Sequence, residues 1–485
     1  MRPTVRFLTD ELARRVVDEA KAVLDGIGVD VQHAVAASLL ADHGAPTGDR
    51  GRVRISAQLV ERALDSAPET FDLFNVMGDR THRFDGETIH FAPASSAVTV
   101  LDPATGEARA PTTADYLRYV AVVAGLPGID AQSTAFVPSD VDQGIADAYR
   151  LHLSLLGCDK PVITGAFSAE GFGLMHELLV AVRGSAAELA TKPLAVFSCC
   201  PTSPLTWTAD GAANLMDCAR AGVPVEIVPV PLSGFLAPVS LVGTLIQHTA
   251  EVLSGVVLGQ LVRPGAPMLF GGCPAIFDVR YETAPMGAVE SMMLACGAAE
   301  IGRLIGLPTQ GYIGLSDAKR LDAQAGLETA TGTTLAALGC LDNVSGPGML
   351  DYINCHSTEK LVVDHEICIM ARRLRRGIEP RDDFPSAPLF EELLGDGHLL
   401  IADHTLRHRS GEISLPGPVI DRAGRARWRQ EGRTTLDERA AADVERLVTT
   451  APTSRLPQAS VRDLEERMLA AARSCGMDDL PRRRT

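Results

Sequence analysis

Eight times between residues 88 and 350 the chain repeats one phrase: a short, apolar, β-rich run ends in small or turn-forming residues and gives way to a helical pattern. The runs read TIHFAPA, DAQSTAFVP, KPVITGAFS, KPLAVFSCC, PVEIVPVP, PMLFGGCP, PTQGYIGLS and DNVSGPGML. Several open on a proline, which a strand tolerates at its first residue. Nearly unbroken apolar runs between helices mark parallel strands buried on both faces. The longest intervening helical pattern is SLVGTLIQHTAEVLSGVVLGQLV; another, TAPMGAVESMMLACGAAEIGRLIG, has Pro285 near its start and a glycine stop. Eight strand-then-helix units predict an α/β protein of the (β/α)8, or TIM-barrel, type. A doubly wound open sheet is the competing arrangement.

The flanks break this rhythm. Residues 1–86 read as a helical accessory region, followed by the barrel at 87–377. In TDELARRVVDEAKAVLDGIG, Leu12, Val16, Val17, Ala20 and Leu24 recur at helical spacing behind a cap at Thr9 or Asp10. RISAQLVERALDSAP is a second helix, ended by Pro68. VTVLDPATGEARAP reads as a hairpin inserted after the first barrel strand. From EPRDDFPSAP onward, residues 378–485 form a charged C-terminal extension ending in two helical stretches. It is expected to wrap around the barrel or to contact a partner; homo-oligomers suit such barrels.

Charge and cysteine usage narrow the function. A formal net charge of -16 sets aside nucleic acid and anionic membranes as partners. The ten cysteines include no CxxC pair, which predicts reduced thiols in a cytoplasm. The first residues carry no apolar signal core, and no run of about 18 uncharged apolar residues predicts a membrane span. The 12 histidines form no HxH or HExxH motif, so no metal centre is expected. The neighbours Cys355 and His356 are the one place where zinc comes into question. Neither GxxxxGK[ST] nor GxGxxG occurs, so no phosphate-cradling loop is expected.

In such barrels the reactive groups collect at the C-terminal ends of the strands. There the sequence places Gly271, Gly272, Gly314, Gly346 and Gly348, with Ser95, Ser96, Phe167, Cys199, Cys200, Ser316, Asp317, Lys319, Tyr352 and His356. This floor is rich in glycine and serine, with few charges. Plain structural roles compete with functional ones: Asp322 as a helix cap, Lys319 as a solvated charge, Tyr312 as core, His356 as support for a Ser357 cap. The adjacent cysteines suit the role of small buried hydrophobes. Trp207, one of two tryptophans, follows a strand end in PTSPL and is the leading candidate for an aromatic wall. Rings in such a position hold a cation over their faces.

GCPAIFDVRYETAPMGAVESMMLACGAAEIGRLIGLP, followed by DAKRLDAQAGLE and STEKLVVDHEI, resembles the trimethylamine methyltransferase family. RVRISAQLVERALDSAP and HTLRHRSGEISLPGPVIDRAGRARW fit the same family, so the likeness runs over nearly the whole chain. The resemblance implies a (β/α)8 barrel that moves a methyl group from a methylated amine to the cobalt of a corrinoid (cobalamin) carried by a separate small protein. One branch of the family uses pyrrolysine; this sequence has none and is similar to the branch without it, some members of which demethylate quaternary amines such as glycine betaine. The segment from Gly314 to Asp322 is the expected counterpart of the pyrrolysine position. On this reading Asp317 and His356 serve catalysis, and Phe167, Trp207, Tyr312, Ser316, Lys319 and Tyr352 bind substrate. Gly271, Gly272, Gly314, Gly346 and Gly348 let the corrinoid face approach, and no cofactor is held tightly by the chain itself. A quaternary-amine-binding protein without turnover and a zinc-dependent thiol methyltransferase are the alternatives.

Overall fold

All eight apolar runs supply barrel strands in the computed structural model, which describes residues 2–48, 51–94, 96–452 and 455–481. In chain order these are His90–Ala92, Gln132–Ser133, Val162–Thr164, Ala195–Cys199, Val225–Ile227, Met268–Phe270, Gln310–Tyr312 and Asn343–Ser345. The second to sixth strands pair in parallel as one run, and the seventh, eighth and first as another. Backbone hydrogen bonds close both seams. Phe270 N–H donates to the Pro308 carbonyl (2.8 Å), joining sixth to seventh, and Asp130 N–H donates to the Phe91 carbonyl (2.8 Å), joining second to first. The sheet is therefore a closed barrel rather than an open doubly wound one.

Helices follow the strands, and several start on side-chain caps at the same end of the barrel. Thr112 and Asp115 form a capping box for Thr113–Ala124, Ser240 caps Leu241–Val262, and Ser357 caps Thr358–Arg376. Asp322 caps Ala323–Leu338 by accepting from the Gln324 and Ala325 backbones (2.9 and 3.2 Å), its expected plain role. Leu241–Val262 has the length and apolarity to cross a bilayer, yet its most apolar window is 72% buried within this molecule. It packs against the N-terminal helices Asp10–Gly26 and Ala57–Ser66. Its Glu251 carboxylate holds the loop after the fourth strand, accepting from Ser203 Oγ and the Leu205 N–H (2.8 Å each).

An antiparallel hairpin, Phe71–Phe74 with Arg80–Phe84, departs from the all-helical reading of the first 86 residues. It is fastened to the N-terminal ends of the third and fourth strands: Val76 N–H donates to the Asp159 carbonyl and Phe74 N–H to the Pro193 carbonyl (2.8 Å each). Leu73 and Phe84 pack with Ala92, Ala131, Ile163, Val196 and Leu269 inside the barrel, stoppering that end. The insertion after the first strand is the expected hairpin, Thr99–Leu101 with Ala108–Arg109. In the tail, Leu436–Thr449 lies on helices Thr113–Ala124 and Thr358–Arg376, and Gln458–Ser474 on Ala146–Gly157 and Gly171–Arg183. The earlier tail helices, Ala387–Asp396 and Asp403–Glu412, bury none of their described side chains.

Candidate active site

Residues following the first, third, fourth, fifth, sixth and eighth strands, together with Tyr312 of the seventh, line one cavity of about 450 Å³ at the unstoppered end. That volume suits a small organic ligand, for which roughly 300–1,000 Å³ is usual. Phe167 and Tyr312 supply rings; Val228, Val230, Ile353 and Met286 supply aliphatic and thioether surface; Cys199, Cys200 and Cys273 supply sulfur. Asp210, at the exposed start of helix Ala209–Ala221, is the only charged residue among the described lining residues. Cys200 lines the cavity and is solvent-exposed there, and desolvation by the surrounding protein, with Cys199 and Glu226 adding to it, pushes its thiol up to about 12. Ser95 lies outside the described residues, whereas Ser96 lines the cavity.

Two of the wall residues, Phe167 and Met286, are held by groups behind them. The Phe167 N–H donates to Asp147 Oδ2 (2.7 Å), and the fully buried Arg150, paired with that carboxylate, lies 5.1 Å from the ring centroid. Met286 is positioned by Asp317, which accepts the Met286 and Gly287 N–H groups (3.1 and 2.9 Å). Burial pushes the Asp317 carboxyl up to about 6 against those hydrogen bonds, with Glu328 adding to the rise. Glu328 Oε2 in turn accepts the Ser316 hydroxyl and the Asp317 N–H (2.6 and 2.8 Å). Ser316 and Asp317 thus form a buried clamp behind the wall and are not among the lining residues.

Four more expected site residues, Lys319 among them, are placed elsewhere. Trp207 is buried, donates Nε1–H to Ser254 Oγ (2.9 Å), and packs where a Cβ on Gly255 would stand 2.7 Å from its ring. It fills the gap between its loop and helix Leu241–Val262 and does not line the cavity. His356 is fully buried with its ring 5.0 Å from Tyr119 and 5.3 Å from Phe136; burial lowers its imidazole to about 3, so it stays neutral, outside the cavity. Tyr352 has its ring covered by Lys319, whose ammonium stands 4.0 Å from the centroid. The same ammonium donates to the Asp317 carbonyl (2.6 Å) and pairs with Asp351 (3.0 Å). Asp351, Tyr352 and Ile353 have φ of 49°, 57° and 67°. Left-handed backbone at non-glycine residues costs on the order of 1–3 kcal/mol each, and Lys319 braces a turn that delivers Ile353 to the cavity.

The five glycines expected to admit a corrinoid are buried, and protein atoms occupy the space beside them. A Cβ on Gly271 would meet the Ile227 carbonyl at 2.8 Å, on Gly272 the His248 ring at 2.0 Å, and on Gly314 Thr333 Oγ1 at 2.6 Å. On Gly346 it would meet the Ile313 carbonyl, and on Gly348 the His356 ring, at 2.6 Å each. These positions are glycine because the barrel packs tightly there, and they do not fit the role of a corrinoid platform. Among the described residues no three His, Cys, Asp or Glu side chains gather to hold a metal, so the Cys355–His356 neighbourhood lacks a ligand set.

Sequence reasoning missed the polar layer between the cavity and the apolar stopper. Glu226, on the fifth strand and fully buried, accepts from Ser198 Oγ (2.6 Å), a cavity-lining hydroxyl, and from Asn343 Nδ2 (3.4 Å). Burial pushes its carboxyl up to about 7 despite both hydrogen bonds. Gln310 joins this layer, donating to Ser345 Oγ (3.3 Å) and accepting the Gly272 N–H (3.1 Å). Asn214, a lining residue, donates to the Ala166 carbonyl (3.1 Å), while among the described residues its Oδ1 has no hydrogen-bond partner. The signal in the sequence was a glutamate set between Val225 and Ile227 in an otherwise apolar strand.

Residues 1–475 match the family described as trimethylamine methyltransferase (MTTB). The chain is 28% identical over 439 residues to trimethylamine methyltransferase MttB of Desulfitobacterium hafniense (strain DSM 10664 / DCB-2), covering 89% of this chain and 87% of that one. It is 27% identical over 431 residues to glycine betaine methyltransferase of Desulfitobacterium hafniense (strain Y51), covering 88% and 89%. To MttB of Methanosarcina barkeri it is 30% identical over 443 residues, covering 89% and 88%. The solved structure of Methanosarcina barkeri monomethylamine methyltransferase (MtmB) shares the fold, with TM-score 0.54 at 12% identity over 97% of this chain and 89% of that one. With its barrel, its cavity and the match over 475 residues taken together, the chain belongs to the trimethylamine methyltransferase family.

Proposed function

We propose that this protein transfers a methyl group from a quaternary or tertiary methylated amine, of the glycine betaine kind, to a corrinoid carried by a separate protein. One observation carries the reading: the cavity combines ring, aliphatic and sulfur walls with acceptor oxygens, and its described lining holds no Lys, Arg or His to repel a cation. The relatives named for trimethylamine and glycine betaine support the methylated-amine class. When a quaternary ammonium loses a methyl group, the C–N electron pair leaves with nitrogen and the amine departs neutral, so no acid on this chain has to protonate it. The acceptor supplies the nucleophile, and the chain's work is binding and positioning. Phe167 and Tyr312 hold the cation against their faces, at about 0.5–2 kcal/mol per ring. Met286, Cys273, Val228 and Ile353 keep water from the reacting methyl.

The test is to mix this protein, a methylated amine and a reduced corrinoid protein, and to follow methylcobalt formation by absorbance. Methylation that requires all three components is expected. Tight binding of the amine with no methyl transfer would replace this reading with that of a binding protein.

We also infer that the segment from 378 to 415 meets a second copy of the chain. Support comes from Ile378, Phe384, Phe390, Leu394 and Ile401, which are 94%, 81%, 60%, 83% and 73% exposed. Helices of about ten residues are marginal in water without a packed face, and these lack one within their own chain.

A further inference from the structure

The carboxyl of Glu226 is the unexplained group of this molecule. Buried carboxylates elsewhere have an evident purpose: Glu251 pins a loop, and Asp364, which accepts the Gly348 N–H (2.7 Å), pairs with Lys360. Glu226 caps no helix, closes no loop and has no ion-pair partner within the described residues. It sits inside the barrel under Ser198, whose hydroxyl both lines the cavity and donates to it at 2.6 Å. Isolated charge in such surroundings is expensive unless an opposite charge arrives. Nearby acceptors point the same way. Among the described residues, Asn214 Oδ1 at the cavity wall and Asn343 Oδ1 beside Glu226 are buried with no hydrogen-bond partner, so acceptors are left for a ligand there.

The groups around Glu226 supply no cation. Its strand neighbours are Ser198 on one side and Leu269 on the other, and Asn343 reaches it across the barrel. The titratable groups at the cavity are the Cys199, Cys200 and Cys273 thiols, the Tyr312 hydroxyl and Asp210 at the rim, with Asp317 behind Met286. Cys200 is the one that couples electrostatically to Glu226, and its thiol is held neutral by burial. Arg150, the nearest buried guanidinium to the wall, is engaged by Asp147 and the Thr134 carbonyl (2.8 Å).

We propose that Glu226 is the residue that selects a cationic substrate: it is the counter-charge for the ammonium head group, acts through the Ser198 hydroxyl, and ionises as the cation enters. This rests on the methylated-amine reading of the cavity and adds to it a residue and a proton. With Glu226 protonated in a large part of the ligand-free molecules near neutral pH, entry of a cation releases a proton, and entry of an uncharged isostere does not. Linkage then sets the sign: cation affinity rises with pH and levels off once Glu226 is already ionised in the free protein.

The experiment is isothermal titration calorimetry on the full chain with choline, glycine betaine and tetramethylammonium, and with 3,3-dimethylbutan-1-ol as the uncharged isostere of choline. At pH 6.5 each titration is run in two buffers of different ionisation enthalpy, which counts protons. Release of a substantial fraction of one proton per bound cation is expected, and none with the alcohol. Below pH 7, affinity for the cation should fall by up to about tenfold per pH unit. Glu226→Gln should weaken the cation by roughly tenfold to a hundredfold at pH 8, leave the alcohol unchanged and abolish proton release; Glu226→Asp should restore part of both. Cation binding with no proton release and no pH dependence in the unaltered protein overturns the proposal and leaves the methylated-amine reading standing. If none of the three cations binds at millimolar concentration, both fall. The proton count needs no variant, so a Glu226→Gln chain that fails to fold does not shelter the proposal.

Discussion

Replacing Tyr312 or Phe167 by alanine removes a ring from the cavity wall without unpacking the barrel, since Tyr312 is half-buried and Phe167 is 60% exposed. Each change should raise the apparent Kd for a quaternary amine by about threefold to thirtyfold, with a melting temperature close to that of the parent. Trp207→Ala should do the reverse, destabilising by about 3–5 kcal/mol while the folded fraction binds ligand normally; denaturant melts and titrations on the same samples separate the two. Glu226 predicts a pH effect on stability as well. A carboxyl whose folded pKa is raised favours the folded state in its protonated form. Its contribution is complete below the ordinary value of 4.5 and is lost as pH climbs through about 7. At about 1.4 kcal/mol per pH unit over that window, the parent should lose about 3 kcal/mol relative to Glu226→Gln between pH 4 and pH 8, read from paired urea melts. Residue roles were the least legible part of the sequence. Rarity marked Trp207 for function, yet a large ring with one donor is equally at home in a core that offers Ser254 as acceptor. Glu226 went unnoticed because its strand, PVEIVPVP, is apolar in every other respect.

The barrel elements themselves were legible because most are punctuated locally: often a proline at the entry, an apolar run, then small or turn-forming residues at the exit. Nothing local marks the N-terminal hairpin. Its strands FDLF and RTHRF are mostly polar or half-exposed, and only Leu73, His82 and Phe84 are buried, against residues far along the chain. The strand-end glycines were legible as exceptional positions but not as filled ones, because what stands beside a missing side chain is a tertiary fact. Helix Ala323–Leu338 offers a paired test. At Gly326 nothing lies within 4 Å of an added Cβ, whereas at Gly332 the added atom would stand 2.9 Å from the Gly314 backbone nitrogen. Gly326→Ala should stabilise by about 0.5–1 kcal/mol, and Gly332→Ala should destabilise by about 1–3 kcal/mol by prising the helix off the seventh strand's exit. Thermal melts of the two variants check both signs.

At the scale of the whole molecule, the tail divides between helices that pack on the barrel and an arm tied to helix Thr358–Arg376 mainly by polar contacts of Arg373 and Arg376 with its Gly411–Glu412 end, its large apolar side chains left exposed. The double change Phe390→Ser with Leu394→Ser should shift the mass measured by light scattering toward a single chain and leave the barrel's melting unaltered; an unchanged mass would remove the arm from the contact. The hairpin that stoppers the N-terminal end of the barrel has a different reach, because it leaves a tube with one doorway. A protein that came to collect a methyl group from this cavity would have to stand at the unstoppered end, the same end by which a small ligand enters.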